Sequence, residues 1–311
     1  MRKERIEEID QAKGLGILLV MLGHSMTLMT NPFNVFILSF HMPLFFFLSG
    51  MVINRNEELH IFAIKKIKSI GCAMLMTYSL YVLTGWIIDV FWLKNETIIS
   101  FDYIRGLNNW FLITMCISVI AVKAVNMHGR NSIFIVAMAY GLFCLMKQEE
   151  TKFPAMYIEQ SLLAYVFIFL GSILGQRILK LLRKYKKYLL GCAIGLFFAV
   201  NSVAQYNGPC AMAANIYGKS KILFTITSLL GIMGILCFAT AGINSKFLKF
   251  CGRNSIIMFV THFSTLKIIT NVWSKTMKWQ YTEWPYYIII FGLLLVIESA
   301  ITCFITRKMV F

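Results

Sequence analysis

The stretch that decides the fold runs from Ile9 to Gly50 and reads IDQAKGLGILLVMLGHSMTLMTNPFNVFILSFHMPLFFFLSG. It contains two apolar segments of membrane-spanning length, joined by a short turn. Lys13, His24 and His41 lie inside or beside these segments. Because ionisable side chains are costly in hydrocarbon, their presence in a span indicates a functional site by default.

The composition of the whole chain extends this reading to the rest of the molecule. Of the 311 residues, 58% are hydrophobic and 14% are charged, with a mean hydropathy of +0.70. Soluble domains carry about 25% charged residues. The apolar blocks are about 18 to 23 residues long, which is the length of a transmembrane helix, whereas a β-barrel would show shorter alternating segments. We therefore predict an all-α, polytopic membrane helical bundle.

About ten transmembrane helices are expected. Their approximate bounds are 13–30, 33–53, 70–93, 109–126, 131–147, 157–177, 188–206, 221–242, 254–273 and 285–306. Most of the 30 basic residues fall on the side that holds the N-terminus, so the positive-inside rule makes this side, and both termini, cytoplasmic. No linker or low-complexity segment interrupts the spans. We expect residues 1–311 to form a single transmembrane domain without a separate soluble domain.

Neither the net charge nor the cysteines indicate a different kind of protein. The formal net charge is +16, but the basic residues lie in short loops and form no surface interleaved with aromatic residues. We therefore expect membrane lipids, and no nucleic acid, as partners. The eight cysteines include no CxxC pair, so neither a metal site nor a disulfide framework is predicted.

Lys13 and His24 are predicted to share one face of the first span. Eleven steps of a helix advance about three turns and roughly 17 Å, so the ammonium group lies at the water boundary and the imidazole lies deeper on the same stripe. His41, on the returning second span, reaches a depth similar to that of His24. It either faces the same cavity or forms an interhelical hydrogen bond. Pro43 lacks an amide hydrogen and should loosen the second helix there.

These residues resemble the acyltransferase-3 family of membrane O-acyltransferases, which modify bacterial cell-surface glycans and other acceptors. The resemblance is carried by Ile9-Asp10, Lys13-Gly14, the LGH tripeptide that ends at His24, and FHMPLFFFLSG from Phe40 to Gly50. The WFL tripeptide at 110–112 and GRNSIIMFVTH at 252–262 support it further. Many family members have arginine at the position of Lys13, where lysine keeps the charge but loses bidentate geometry.

The resemblance implies that an acyl group, usually acetyl, moves from cytoplasmic acetyl-CoA to a hydroxyl of a cell-envelope sugar in a polysaccharide, capsule, O-antigen or glycolipid. His24 is the predicted general base, because a partly desolvated imidazole stays neutral near pH 7 and can accept the proton of an attacking sugar hydroxyl. A transient acyl-histidine is the alternative. His41 and Asp10 complete the predicted catalytic set. Asp10 either orients Lys13 or is a surface carboxylate.

The predicted donor site is a basic rim on the cytoplasmic side, because coenzyme A carries phosphate groups. Its candidate residues are Lys13, Lys65, Lys66, Lys68 and Arg253. Each of these charges is also explained by the positive-inside bias alone. No metal is expected to take part.

The predicted acceptor site combines residues from the outer end of span four with residues of the last two spans. Its candidates are Asn108, Asn109, Trp110, His262 and Glu298. The asparagines either contact a sugar or cap a helix, and the tryptophan is alternatively an interfacial anchor. His262 and Glu298 lie at similar depth in spans nine and ten, so they are expected to form a buried pair with a structural or substrate-binding role.

Two other functions fit the same pattern. A transporter or exporter of a glycan or small molecule also uses intramembrane His and Glu as proton relays, although the two halves lack matching Gly/Pro-interrupted spans. An accessory subunit of a glycan-assembly machine would need no donor site. The acyltransferase hypothesis predicts a multi-pass protein of the bacterial cell membrane.

Overall fold

The computed structural model of the chain describes residues 5–26, 29–88, 90, 109–126, 131–147, 157–276 and 284–308. This part is helical apart from turns and one small hairpin. In chain order the helices are α1 (Glu7–Ser25), α2 (Pro32–Leu38), α3 (His41–Met51), α4 (Leu59–Ile87), α5 (Trp110–Asn126), α6 (Asn131–Leu145), α7 (Ile158–Leu182), α8 (Leu189–Asn207), α9 (Lys221–Thr240), α10 (Lys246–Arg253), α11 (Ser255–Thr276) and α12 (Trp284–Lys308). The strands β1 (Cys210–Ala211) and β2 (Ile216–Tyr217) pair antiparallel between α8 and α9.

The helices have the lengths of a membrane protein. Six described stretches are long and apolar enough to cross a membrane, namely Pro32–Met51, Leu59–Ile87, Ile158–Asn207, Lys221–Thr240, Ser255–Thr276 and Trp284–Arg307. The stretch Ile158–Asn207 has 50 residues and is interrupted by a 3-10 turn at Arg183–Tyr188, so it holds both α7 and α8. Shorter apolar helices, α5 and α6, and the charged-ended α1 complete the bundle. The predicted helical membrane bundle is confirmed.

The second span is broken next to His41, where α2 ends and α3 begins. Pro43 has no amide hydrogen to offer to the Ser39 carbonyl four residues earlier. This carbonyl instead accepts a hydrogen bond of 2.7 Å from the Ser228 hydroxyl of α9. The prediction that Pro43 loosens this helix is confirmed, and a neighbouring helix satisfies the freed carbonyl, as the membrane interior requires.

Polar residues fix the starts of three helices. Asn31 caps α2 by accepting a hydrogen bond from the Phe33 amide, with Pro32 in the first turn. Ser220 caps α9, and Ser245 caps α10. Each cap satisfies an amide at the helix start that has no partner within the helix. These caps therefore set the positions at which the chain re-enters the bundle.

Glycines allow two pairs of helices to approach at backbone distance. A Cβ atom on Gly14 of α1 would lie 2.0 Å from the Leu248 carbonyl oxygen of α10, and one on Gly252 of α10 would lie 1.7 Å from the Asp10 oxygen of α1. In the same way, a Cβ atom added to Gly50 of α3 would lie 2.0 Å from a backbone oxygen of α7, and one added to Gly171 of α7 would lie 2.0 Å from a backbone oxygen of α3. Close packing of this kind drives helix association in lipid, where apolar burial alone does not.

Ion pairs collect the charged helix ends at one end of the bundle, which we call the basic end. Arg183 donates to Glu8 at 2.8 and 2.9 Å, and Lys249 bonds Glu7 at 2.6 Å. They bring the start of α1, the turn at Arg183–Tyr188 and α10 together. The charge distribution predicts that the basic end faces the cytoplasm.

Candidate active site

Helix α1 carries Lys13 and His24 on one uninterrupted helix, and both residues face α11. Lys13 lines a cavity together with Ser255 and Ile256 at the start of α11. The His24 ring lies against α11 further along, with its centroid 5.4 Å from that of His262 and 4.6 Å from that of Phe263. The structure therefore keeps the two groups on a common stripe and separates them along the helix.

His24 differs from the other two histidines of the spans in its accessibility and its bonding. It lies in the last turn of α1, and its side chain is exposed, whereas His41 and His262 are 5% and 0% exposed. Neither ring nitrogen of His24 has a hydrogen-bond partner among the described residues. The His24 ring lies beside that of His262, with centroids 5.4 Å apart, and His41 is close enough for its charge to be felt by a protonated His24. We call these three residues the histidine group.

His41 and His262 are each tied to a backbone carbonyl through Nδ1. His41 bonds the Ile37 oxygen at 3.0 Å, and His262 bonds the Phe259 oxygen at 2.8 Å. Because a carbonyl only accepts, Nδ1 must carry the hydrogen, which leaves the lone pair of the neutral ring on Nε2. The Nε2 atom of His262 is buried and has no hydrogen-bond partner in the described part of the chain.

The predicted pair of His262 and Glu298 does not form. Both Glu298 oxygens accept hydrogen bonds from hydroxyl groups of α11, one from Thr261 and one from Thr265 at 2.5 Å. His262 points its Nδ1 to its own helix backbone instead. The prediction failed because two hydroxyls on the same helix face satisfy the carboxylate, which is 0% exposed, without a second ionisable group.

Three adjoining cavities lead from the basic end into the bundle. The rim cavity, of about 850 Å³, is lined by Ile6, Gly50, Met51, Ile53, Asn54, Arg55, Asn56, Lys123, Ser132, Ser172, Ile173, Gln176 and Arg177. The middle cavity, of about 390 Å³, is lined by Arg5, Ile6, Ile9, Asp10, Lys13, Met51, Val52, Gln176, Gly252, Arg253, Ser255 and Ile256. The inner cavity, of about 210 Å³, is lined by Lys13, Ile17, Phe45, Ser49, Lys66, Ser69, Ile70, Phe111, Leu112, Met115, Val119, Ser255, Ile256 and Phe259.

Shared residues connect these cavities in order. Ile6, Met51 and Gln176 belong to both the rim and the middle cavity, and Lys13 belongs to both the middle and the inner cavity. Phe259, at the inner end, contacts the His262 ring with centroids 5.6 Å apart. The series thus begins at charged residues of the basic end and ends beside the histidine group.

Three lysines lie near the start of α4, at positions 65, 66 and 68. One side chain points into the bundle and two point away from it. Lys66 is half-buried and faces the inner cavity opposite Lys13. Neither ammonium group forms an ion pair with a described residue. Lys65 is exposed and pairs with Glu57 at 2.5 Å, and Lys68 is exposed as well. Of these three predicted donor-site lysines, only Lys66 lines one of the cavities described above, because successive helical residues point about 100° apart.

Asp10 bonds Arg253 and not Lys13. The Arg253 Nε donates to the Asp10 carboxylate at 3.1 Å, and both residues line the middle cavity. Asp10 acts on Lys13 only through its charge at longer range. Any orienting effect of Asp10 on Lys13 is therefore electrostatic and does not involve a hydrogen bond between the two side chains. The ion pair of Asp10 connects α1 to α10 instead, and it leaves Lys13 free to meet a ligand.

The acceptor residues predicted at the start of α5 are only partly visible. Asn108 lies outside the described residues. The Asn109 carbonyl accepts the Ile113 amide at 3.1 Å, which places Asn109 at the N-cap position of α5. Trp110 is 8% exposed and packs on Phe111. The Phe111 ring in turn lines the inner cavity and contacts Phe259 at 5.1 Å.

Sequence reasoning missed the aromatic and hydroxyl walls of the inner cavity. Phe45, Phe111 and Phe259 come from three different helices, and Ser255 begins α11. All four residues lie inside the three motifs quoted above, at 40–50, 110–112 and 252–262. The sequence did not show that they line one cavity, because that depends on the packing of helices that are far apart in the chain.

The described residues offer no metal site, and the thiol of Cys251 is not activated. No group of three or more His, Cys, Asp or Glu side chains among them is placed to hold a metal ion. Cys251 of α10 is next to Gly252 in the chain, and burial raises its pKa to about 11. A thiol with this pKa stays protonated at neutral pH and is a poor nucleophile.

The fold and the site define a polytopic helical membrane protein in which cavities that begin at a basic end lead toward three histidines. Residues 6–303 match the family model of the acyltransferase domain, acyltransferase-3. The chain therefore belongs to the acyltransferase-3 family and is a membrane acyltransferase. This confirms the family predicted from the sequence. No curated protein sequence matches the chain at a significant level.

Proposed function

We propose that the protein is an O-acetyltransferase of the bacterial cell membrane. It takes an acetyl group from cytoplasmic acetyl-CoA and transfers it to a hydroxyl of a cell-envelope sugar in a polysaccharide, capsule, O-antigen or glycolipid. The donor enters from the basic end, and the acceptor reaches His24 near the other end of α1. The family itself consists of membrane acyltransferases. The identity of the donor, the identity of the acceptor and the role of His24 as base are what this proposal adds.

The cavities support an anionic, elongated donor. Lys13 and Lys66 present two ammonium groups without ion-pair partners among the described residues to the inner cavity. Unpaired cations in a partly buried site gain most from a bound anion such as a phosphate group. The apolar walls formed by Phe45, Phe111 and Phe259 suit the narrow arm that carries the thioester. A transported glycan, in contrast, would meet an inner cavity of only about 210 Å³.

His24 is the proposed general base. Its neutral ring accepts the proton of the sugar hydroxyl while the oxygen attacks the thioester carbonyl carbon. The tetrahedral intermediate collapses with cleavage of the carbon–sulfur bond, and the thiolate of CoA takes the proton from the His24 imidazolium. The products are the acetyl ester and free CoA. Transfer through an acetyl-His24 intermediate gives the same products in two steps.

One observation carries this choice of base. His24 is exposed and both its ring nitrogens are unbonded within the described structure, whereas Nδ1 is occupied in His41 and His262. The Nε2 lone pairs of His41 and His262 can also accept a proton, but these rings are 5% and 0% exposed. Only the exposed ring of His24 can therefore meet a substrate hydroxyl without reorganisation. We assign His41 and His262 a positioning role, in which their fixed rings pack around His24. Asn109, Trp110 and Glu298 are assigned to the acceptor side.

The test is acetyl transfer by purified protein in lipid nanodiscs. We expect release of free CoA from acetyl-CoA in the presence of an envelope glycan, with the labelled acetyl group recovered on the glycan. The variant His24→Ala should lose about a hundredfold to ten-thousandfold in rate, the range for removal of a general base. His60→Ala, which changes an exposed histidine paired with Glu58, is the matched control and should keep full activity.

The outcomes separate the parts of the proposal. Full activity of His24→Ala, with a loss in His41→Ala, would reassign the base and leave the reaction in place. Transport of a glycan without any CoA release by the unaltered protein would refute acyl transfer to that glycan. Thermal unfolding of each variant in detergent shows whether a lost activity reflects the chemistry or the fold.

A further inference from the structure

The rim cavity is larger than the middle and inner cavities, and three basic residues line it. Arg55, Lys123 and Arg177 line it, and none of its described lining residues is acidic. A cavity of about 540 Å³ on the other side of the α1 start has similar basic residues but also Glu7 and Glu8. The rim cavity therefore has the stronger field for an anion.

The basic residues of the rim cavity are held in place by the fold. Lys123 is 2% exposed, and its ammonium group bonds the carbonyls of Asn54 at 2.8 Å and Arg55 at 2.7 Å. Its charge is not neutralised by any carboxylate of the described residues. This contact fixes the loop between α3 and α4 against α5. Arg55, on that loop, donates in turn to the Ser172 carbonyl of α7.

Arg177 is the residue of this cavity that remains available for a ligand. It lies on α7, is exposed, and forms no hydrogen bond or ion pair with a described residue. A guanidinium group binds a phosphate through two parallel hydrogen bonds. Gln176, the preceding residue, bonds the Met51 carbonyl at 3.1 Å, which fixes the wall between the rim and middle cavities.

The size and order of the cavities match the two ends of coenzyme A. A wide cavity of about 850 Å³ lies at the basic end, and a narrow one of about 210 Å³ lies beside the histidine group. Coenzyme A has a bulky adenosine with a 3′-phosphate at one end and a thin thioester arm at the other. Only one orientation therefore places the bulky anionic end in the wide basic cavity and the thioester toward His24.

We infer that the rim cavity binds the 3′-phosphorylated adenosine end of the acyl donor, and that Arg177 is the residue that recognises the 3′-phosphate. This inference rests on the proposed donor. It adds that the enzyme selects its donor by the nucleotide, at a site remote from the reacting carbonyl. A donor without the 3′-phosphate should therefore bind more weakly, while its thioester reacts at the same rate once it is bound.

The experiment compares acetyl-CoA with acetyl-dephospho-CoA, which differs only in the missing 3′-phosphate. For the unaltered protein we expect a KM about tenfold higher for acetyl-dephospho-CoA, with kcat unchanged, as for loss of one charge-assisted contact. Arg177→Gln should raise the KM for acetyl-CoA by about the same factor and leave the KM for acetyl-dephospho-CoA unchanged. Lys180→Gln is the matched control, since Lys180 is exposed on the same helix and lines none of the cavities described above. It should behave like the unaltered protein.

A binding measurement separates this inference from the proposed reaction. Calorimetric titration with CoA and dephospho-CoA needs no acceptor. A preference for CoA that Arg177→Gln removes would support the cavity assignment even if no acetyl transfer occurred, and in that case the proposed reaction alone would fail. Equal affinity of the unaltered protein for the two ligands would overturn the assignment, as would an Arg177→Gln variant that retains the full preference.

Discussion

At the scale of single residues, environment and not charge distinguishes the lysines of this protein. Lys65 and Lys66 are neighbours in the chain, yet Lys65 pairs with Glu57 at the surface and Lys66 faces the inner cavity. Lys13 meets Lys66 there, and both are unpaired within the described residues. A surface ion pair contributes about 0 to 1 kcal/mol, whereas an unpaired cation in a cavity gains more from a bound anion.

Replacement of Lys13 tests its role in donor binding. We expect Lys13→Ala to raise the KM for acetyl-CoA by about tenfold to a hundredfold, because a hydrogen bond to a charged group contributes roughly 1.5 to 3 kcal/mol. The kcat should change much less, since Lys13 is about 17 Å along the helix from His24. Steady-state kinetics at saturating acceptor provide the measurement. Lys65→Ala is the control and should leave the KM unchanged; an unchanged KM in Lys13→Ala would remove Lys13 from the donor site.

At the scale of secondary-structure elements, glycines decide which helices touch. Gly50 of α3 and Gly171 of α7 each lie where an added Cβ would be 2.0 Å from a backbone oxygen of the other helix. Gly191 of α8 lies in an equally apolar helix, but its Cβ position meets no atom within 4 Å. The α3–α7 contact positions Gly50, Met51 and Gln176 in the walls of the rim and middle cavities.

A pair of alanine substitutions tests this difference between glycines. Gly50→Ala should lower the thermal unfolding temperature in detergent, because the new methyl group forces α3 and α7 apart at a cost of about 1 to 3 kcal/mol for overpacking. Gly191→Ala should leave it unchanged or raise it slightly, since alanine favours helix over glycine by about 0.5 to 1 kcal/mol. Equal unfolding temperatures for the two variants would mean that α3 and α7 do not approach as closely as described.

At the scale of the whole molecule, contacts between distant parts of the chain close the basic end. Arg183, in the turn between α7 and α8, donates two hydrogen bonds to Glu8 in the first turn of α1. This bond holds the pKa of the Glu8 carboxyl below its ordinary value of 4.5. Both residues lie at the basic end, outside the predicted spans. The pair links two segments that are 175 residues apart in the chain.

The pair predicts a specific dependence of stability on pH. Because the pKa of Glu8 is lowered in the folded state, its contribution is present above the unfolded pKa and is lost as the pH falls through the folded pKa. Glu8→Gln should therefore unfold at a lower temperature than the unaltered protein at pH 7, and the difference should shrink below about pH 4.5. Arg183 is about half exposed, so the effect is modest and weaker at high salt.

The control for this measurement is Glu58→Gln, which changes an exposed carboxylate beside His60. We expect it to follow the unaltered protein at every pH. A difference between Glu8→Gln and the unaltered protein that stays constant from neutral to acid pH would show that Glu8 does not act through its charge.

The sequence by itself determined the membrane bundle, the family and the stripe that joins Lys13 to His24. These follow from local properties, since apolar length fixes a span and helical period fixes a face. It also located the break beside His41, because Pro43 acts on its own helix. Such inferences need no knowledge of which helices are neighbours.

Only the tertiary structure decided which charged side chains form pairs and which face the same cavity. It paired Asp10 with Arg253, satisfied Glu298 through Thr261 and Thr265, and turned Lys66 inward to face Lys13. Each of these outcomes depends on the rotation and depth of one helix relative to another. That relation is set by close contacts such as Gly50 against α7, and it has no signature in the sequence of either helix alone.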